Sequence, residues 1–198
     1  MSGLWTRLGG ALLAVVWPVA VATAGEIEVR AARLAAAEEG VALEADFGFD
    51  FAPRLAEIVA SGIPLYFLVE FELVRRRWWW FDERTVSKRL QLRLSYHPLS
   101  RQYRLSTGLL QQQFATLAEA LKVLQRVRHW IVLERGAVLA EADYEAAVRM
   151  RLDLSQLPRP FQLSALTSRE LHLESAWRRF LWRPSALERS EAREERAQ

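Results

Sequence analysis

The sequence VALEADFGFDF at Val41–Phe51 alternates strictly between two kinds of residue. Every odd-numbered position is apolar, whereas the even-numbered positions are small or acidic and include Glu44, Asp46 and Asp50. A period of two with one apolar face is typical of an antiparallel strand that is buried on one side only. This segment therefore predicts a strand in a sheet with one face on the core and the other in solvent.

Similar patterns recur on both sides of this segment. Further strands are predicted at Glu26–Leu34, Pro64–Val74, Val86–Tyr96, Arg101–Thr107 and Tyr144–Leu154, and one more strand or two pieces within Phe161–Glu174. If Pro64–Val74 pairs with Val86–Tyr96, then Glu70 and Glu72 face Arg89 and Arg93 across the ladder.

Two helices interrupt the strands. Pro53–Ser61 has proline at its start and Gly62 just beyond its end. A second helix, near 116–130, begins with the capping box Thr116–Glu119. About seven or eight short strands with these two helices, near 53–61 and 116–130, predict a mainly β fold. We expect an antiparallel β-sandwich, immunoglobulin-like in a loose sense.

The composition limits the chemistry. The chain has 198 residues, 27 basic and 24 acidic, with a formal net charge of +3 and no cysteine. Such a length fits one domain. The missing cysteines exclude disulfides, thiolate metal sites and thiol catalysis. Because the two signs of charge are interleaved and no concentrated basic stretch dominates, we expect no nucleic-acid partner.

The N-terminus has the pattern of a signal peptide. Arg7 precedes an uncharged apolar run, Leu8–Val21, and Ala22–Ala24 supplies the small residues that a signal peptidase reads. We therefore expect residues 1–24 to be a signal peptide and the chain to be periplasmic; an uncleaved inner-membrane anchor is the alternative. Residues 25–184 are then a single β-rich domain, and the charged segment 185–198 is a flexible tail.

No catalytic motif is recognisable. Nucleophile motifs and glycine-rich phosphate loops are missing from the sequence. His97, His129 and His172 are widely spaced; we expect His97 in a turn, His129 at a helix end and His172 facing outward. No catalytic, cofactor-binding or metal-binding residue is therefore assigned. Carboxylate pairs such as Glu44 with Asp46 keep an acid–base mechanism open.

Two clusters combine arginine with aromatic residues. The first consists of Arg75, Arg76, Arg77, Trp78, Trp79, Trp80 and Phe81, and the second contains Trp177, Arg178 and Trp182. Aromatic faces and guanidinium groups suit partner recognition, and a tryptophan-rich tip also suits a membrane interface. The alternative is structural: a hairpin whose aromatics face both sheet surfaces, and a terminal strand packed on the sandwich edge. The recognition hypothesis is stronger if both clusters lie at one end of the fold.

Several longer strings carry a family resemblance. They are GIPLYFLVEFEL at Gly62–Leu73, LSYH at Leu94–His97, RQYRLSTG at Arg101–Gly108 and RMRLDLSQLP at Arg149–Pro158. With them, residues 26–182 resemble the exported proteobacterial family called domain of unknown function 4390. The resemblance implies export and a single domain, and it carries over no reaction and no functional residue.

Two function hypotheses follow. The first is a non-enzymatic periplasmic interaction module, accessory to an envelope or signalling protein, whose partner is a protein or another envelope component. The second is a periplasmic hydrolase that acts on a cell-envelope polymer through carboxylates. A pocket enclosing two carboxylates with His97 or Arg101 favours the hydrolase. A flat surface bearing Trp78–Phe81 favours the module.

Overall fold

The structure is a computed structural model that describes residues 26–75, 83–138, 142–162 and 171–184. The predicted signal peptide, the predicted tail and residues 76–81 of the first arginine–tryptophan cluster lie outside these ranges.

Nine strands and two α-helices lie wholly within the described residues, and residues 159–162 are also helical. The strand predicted within Phe161–Glu174 therefore does not begin at Phe161; residues 163–170 of that segment lie outside the described ranges. The strands are β1 (Glu28–Ala37), β2 (Gly40–Gly48), β3 (Leu65–Arg75), β4 (Glu83–His97), β5 (Gln102–Thr107), β6 (Leu110–Phe114), β7 (Arg126–Glu134), β8 (Tyr144–Leu152) and β9 (Arg178–Trp182). The helices are α1 (Pro53–Ala60) and α2 (Leu117–Leu124), and a short 3-10 helix covers Leu154–Gln156.

The strands form two antiparallel sheets. The smaller sheet has the order β1-β2-β7, and the larger has the order β6-β5-β4-β3-β8-β9. The two sheets share one apolar core in a sandwich-like arrangement. The predicted fold class, a mainly β antiparallel sandwich with two helices, is therefore confirmed.

Strand β3 is at the centre of the larger sheet and contributes a continuous row of residues to the core. Its odd-numbered residues, Leu65 to Leu73, are completely buried, and the paired strands add Leu94 from β4 and Val148 from β8. Because successive side chains of a strand point to opposite sides, the even-numbered residues of β3 lie on the outer face of this sheet.

Several expected elements are confirmed. Helix α1 buries Leu55, Ile58 and Val59 against the core, as its apolar stripe predicts. Helix α2 begins with the predicted capping box: the Thr116 side chain accepts from the Glu119 amide and the Glu119 carboxylate accepts from the Thr116 amide.

The predicted extent of the second helix is wrong. Helix α2 ends at Leu124, and the chain then forms β7, which pairs with β2 and buries Val127, Val132 and Leu133. Val127 continues the apolar stripe of Leu117, Leu121 and Leu124 at helical spacing, so the sequence also fits a longer helix, but pairing with the exposed edge of β2 favours the strand. His129 consequently lies within β7, with a φ of 54°, and not at a helix end.

The expected pairing of β3 with β4 is confirmed, but only part of the register is. Glu70 is opposite Arg89, as predicted. Glu72 is opposite Ser87, and Arg93 is opposite Tyr66, so the second predicted ion pair is wrong. Strand β6 was not expected from the sequence; it continues the β5 hairpin after Gly108, which has a positive φ of 56°.

Candidate interaction surface

Glu70 lies at the centre of the outer face of the larger sheet and is contacted by three arginines. Its carboxylate is 3.2 Å from Arg89 Nε of β4, 2.7 Å from Arg149 Nε of β8 and 3.2 Å from Arg151 Nε of β8. The Glu70 side chain is only 7% exposed, whereas that of Arg89 is 70% exposed. The carboxylate thus forms the floor of the cluster and the guanidinium groups form its surface.

The arginines also decide the charge state of Glu70. Burial acts to raise the pKa of this carboxyl, but hydrogen bonds and charge from Arg151 and Arg149 outweigh it, so the pKa lies below its ordinary value. Glu70 is therefore ionised at neutral pH. One negative charge is shared among three positive ones, and the cluster remains cationic.

Aromatic rings hold two of the neighbouring guanidinium groups. Arg149 Cζ lies 4.6 Å from the centre of the Trp177 ring, and Arg93 Cζ lies 5.8 Å from the centre of the Tyr66 ring. Both distances are within the range of a cation–π interaction. Each ring restricts the arginine side chain and adds apolar surface beside a positive charge.

The strand registers extend this cluster into a larger surface, which we call the arginine face. It comprises the outer-face arginines of β4, β5, β8 and β9, namely Arg89, Arg93, Arg104, Arg149, Arg151 and Arg179. The same face carries fewer carboxylates, namely Glu70, Glu72 and Glu145. Of these, Glu145 pairs with Arg179 at 3.7 Å. The arginine face therefore has an excess of positive charge.

The residues of the second predicted cluster divide between the two sides of the sheet. Trp177 lies on the arginine face against Arg149. Arg178 is exposed, and its guanidinium donates to the Val29 carbonyl at 3.4 Å. Trp182 is 9% exposed and its ring lies 5.9 Å from that of Tyr144, so it packs in the core.

The described strand ends place one residue of each predicted cluster, Arg75 and Trp182, at the same end of the larger sheet. Arg75 ends β3 opposite Tyr144, which in turn is opposite Trp182. On its other side Arg75 is opposite Glu83, where β4 begins. Trp177 lies away from this end, beside Arg149, and residues 76–81 are outside the described ranges.

An apolar cavity of about 380 Å³ lies elsewhere, between the core side of β4–β6 and the wall formed by α2 and the start of β7. Its lining is mainly leucine and valine, with basic residues among the others. The lining residues are Leu90, Leu92, Leu105, Thr107, Leu110, Gln112, Lys122, Val123, Arg126, Val127 and Arg128.

A smaller cavity of about 220 Å³ contains two carboxylates, Asp153 and Glu174, with His172 and Arg151. Asp153 Oδ1 accepts from the Ser155 amide and hydroxyl, so this carboxylate caps the 3-10 helix. His97 lines neither of these two cavities; it ends β4, and its Nδ1 lies 3.3 Å from the Ser100 amide in the following turn. Within the described ranges, no three metal-ligating side chains are grouped.

Sequence reasoning missed Arg149 and Arg151 as site residues. Their signal in the sequence is the alternation of arginine with Met150 and Leu152 in β8. That pattern predicts an exposed arginine row, but it does not show that β8 pairs with β3, beside Glu70.

A comparison with family models matches residues 24–181 to the family described as Domain of unknown function (DUF4390). No curated protein and no solved structure matches the chain. The family match covers most of the sequence, including every residue of the arginine face. The chain therefore belongs to the DUF4390 family.

Proposed function

We propose that this chain is an exported, non-enzymatic interaction module of the periplasm that binds an acidic segment of a partner protein through the arginine face. The observation that carries the proposal is the ion-pair cluster of Glu70, in which one shielded carboxylate orients three guanidinium groups. Export rests on the signal-peptide pattern of residues 1–24.

The arginines suit carboxylates because each guanidinium presents a planar fork of donors. Arg149 and Arg151 each use Nε toward Glu70, and about 30% of each side chain remains exposed. Side chains that are held before a partner arrives lose less conformational entropy on binding. The Glu70 carboxylate therefore favours binding even though it lowers the net charge of the face.

A protein segment fits this face better than a simple polyanion because apolar groups are placed between the charges. Tyr66, Leu68 and Trp177 are partly exposed among the arginines. Aromatic residues and arginine are the residue types enriched at protein interfaces. We therefore expect a partner that alternates acidic and apolar side chains.

The first arginine–tryptophan cluster belongs to the same proposal. Arg75 is its described member; it ends β3 opposite Tyr144 of β8, which is in turn opposite Trp182 of β9. We propose that Arg75–Phe81 adds a second contact for the partner at this end of the sheet.

Among the described residues, no helix is long and apolar enough to cross a bilayer.

The test measures binding of a fluorescein-labelled peptide of alternating Glu and Leu by fluorescence anisotropy, with an alternating Gln–Leu peptide as the neutral comparison. We expect the acidic peptide to bind the full chain more tightly, and added salt to weaken that binding. Replacing Arg89 and Arg93 by serine should weaken it about tenfold, or about 1.4 kcal/mol.

The matched control replaces Arg33 and Arg54, two exposed arginines outside the arginine face; like Arg89, each of them is paired with a glutamate. This control variant should bind the acidic peptide as the native chain does. Equal binding of both peptides, or an equal loss in both double variants, would contradict the proposal.

The hydrolase hypothesis predicts a different result. Its carboxylates of interest are Asp153 and Glu174 in the 220 Å³ cavity. If the chain solubilises purified peptidoglycan, and an Asp153→Asn, Glu174→Gln variant does not, the module is also an enzyme and the non-enzymatic part of the proposal fails.

A further inference from the structure

The apolar cavity between α2 and strands β4–β6 is lined by residues that the proposed role of the arginine face does not use. Its floor is formed by core-side residues of adjacent strands, Leu90 and Leu92 of β4 and Leu105 of β5. Val123 of α2 and Val127 of β7 form the opposite wall. Its volume of about 380 Å³ is at the lower end of the range for small-ligand sites, roughly 300–1,000 Å³.

Basic side chains border this apolar lining. Lys122 and Arg126 are exposed and line the cavity, and neither takes part in an ion pair of the described residues; Asp46, which lies opposite Arg126, is paired with Arg128. Arg128 differs because it donates to Asp46 Oδ1 at 2.5 Å and to the Ala45 carbonyl at 3.0 Å. Two positive charges, those of Lys122 and Arg126, thus remain available at the border of the cavity.

We propose that this cavity binds a single-chain fatty acid, with its hydrocarbon tail between Leu105 and Val123 and its carboxylate at Lys122 and Arg126. The volume limits the tail. A methylene group is similar in size to a water molecule, which takes about 30 Å³ in the liquid, so about twelve carbons fill the cavity. The unpaired charges select an anionic head over a neutral or cationic one.

A substitution at Leu110 tests the proposal without changing the core. Leu110 lines the cavity from β6, yet it is 74% exposed, so Leu110→Asp removes little buried surface. The new carboxylate lies at the same cavity and repels an anion bound there. Leu99 is 93% exposed in the turn between β4 and β5 and does not line the cavity, so Leu99→Asp is the matched control.

The experiment is isothermal titration calorimetry of the full chain with decanoate, 1-decanol and decylammonium, each below its aggregation limit. We expect decanoate to bind in the micromolar range and decylammonium to bind at least tenfold more weakly. The Lys122→Gln, Arg126→Gln double variant should weaken decanoate about tenfold and leave 1-decanol unchanged. Leu110→Asp should weaken decanoate similarly, and Leu99→Asp should not.

Three outcomes would overturn the proposal. They are no heat of binding with decanoate at any concentration below aggregation, equal affinity for decanoate and decylammonium, and equal behaviour of the two aspartate variants. Because neither aspartate variant alters a buried side chain, far-ultraviolet circular dichroism should show the same fold in both, and the binding result then refers to the cavity alone.

Discussion

Glu70 Oε2 lies 2.7 Å from Arg149 Nε although 79 positions separate the two residues in the chain. The contact exists because β8 pairs with β3 in a register that places Arg149 directly opposite Glu70. Three arginines shield the Glu70 carboxylate from water. One of them, Arg149, also stacks on the ring of Trp177, which immediately precedes β9. A single carboxylate therefore connects three neighbouring strands through their side chains.

Replacing Glu70 by glutamine should destabilise the fold. The change removes the negative charge that three guanidinium groups share, and we expect the free energy of unfolding to fall by about 1–3 kcal/mol. The measurement is urea unfolding followed by tryptophan fluorescence. Glu145→Gln is the control, because Glu145 has one distant arginine partner and should cost less than about 1 kcal/mol. An equal loss of unfolding free energy in the two variants would show that the three-arginine cluster stabilises the fold no more than the single ion pair of Glu145 does.

The contribution of Glu70 should depend on pH in a defined direction. Its pKa in the folded chain lies below the ordinary value of 4.5, so folding favours the ionised form. The resulting stabilisation is complete above the unfolded-state pKa and is lost as the pH falls through the lower, folded-state pKa.

We therefore expect the difference in melting temperature between the native chain and Glu70→Gln to be constant at neutral pH. It should shrink below about pH 4.5. Thermal unfolding in steps from neutral to acidic pH measures it. A difference that grows on acidification would contradict the assigned direction of the pKa shift.

If residues 1–24 are a signal peptide, as we propose, the N-terminus of the mature chain should be Gly25. Ala22–Ala24 places small residues before that position, in the pattern that a signal peptidase cleaves. Intact-mass spectrometry of the periplasmic fraction measures this directly. Detection of the chain with Met1 intact in the membrane fraction would instead support the N-terminal anchor.

The three consecutive tryptophans should act in recognition more than in stability. We expect the Trp78→Ala, Trp79→Ala, Trp80→Ala variant to lose crosslinking to its partner in cells. Its thermal unfolding should stay close to that of the native chain. The Leu99→Ala variant, at a fully accessible turn, serves as the control for handling and expression. A large drop in melting temperature would show that these tryptophans belong to the core.

Local patterns were sufficient to predict much of the fold. Alternation predicted β2, β3 and β8, and the proline and capping signals predicted the starts of α1 and α2, because these features depend on neighbouring residues alone. The end of α2 could not be predicted in this way, since Val127 fits both a helical stripe and the strand that pairs with β2.

The candidate site was predictable only in part, for a related reason. The pairing of Glu70 with Arg89 was predictable because β3 and β4 follow one another in the chain and form neighbouring antiparallel strands. The contribution of Arg149 and Arg151 depends on which strand occupies the other edge of β3, and no local pattern specifies that. Trp177 and Trp182 belong to the same arginine–tryptophan cluster of the sequence, yet their environments differ. Trp182 is buried against Tyr144, whereas the ring of Trp177 contacts Arg149.

The amino-acid sequence alone therefore predicted most of the strand segments, the helix starts and the arginine-rich alternation of β8, all of which depend on residues close together in the chain; it did not predict β6 or the start of β7. Only the tertiary structure decided that β8 lies beside β3, that three arginines contact Glu70 and that α2 and β7 line an apolar cavity opposite β4–β6. The physical reason is that sheet order and register are set by the joint burial of apolar faces from distant segments, and that burial is a property of the whole core.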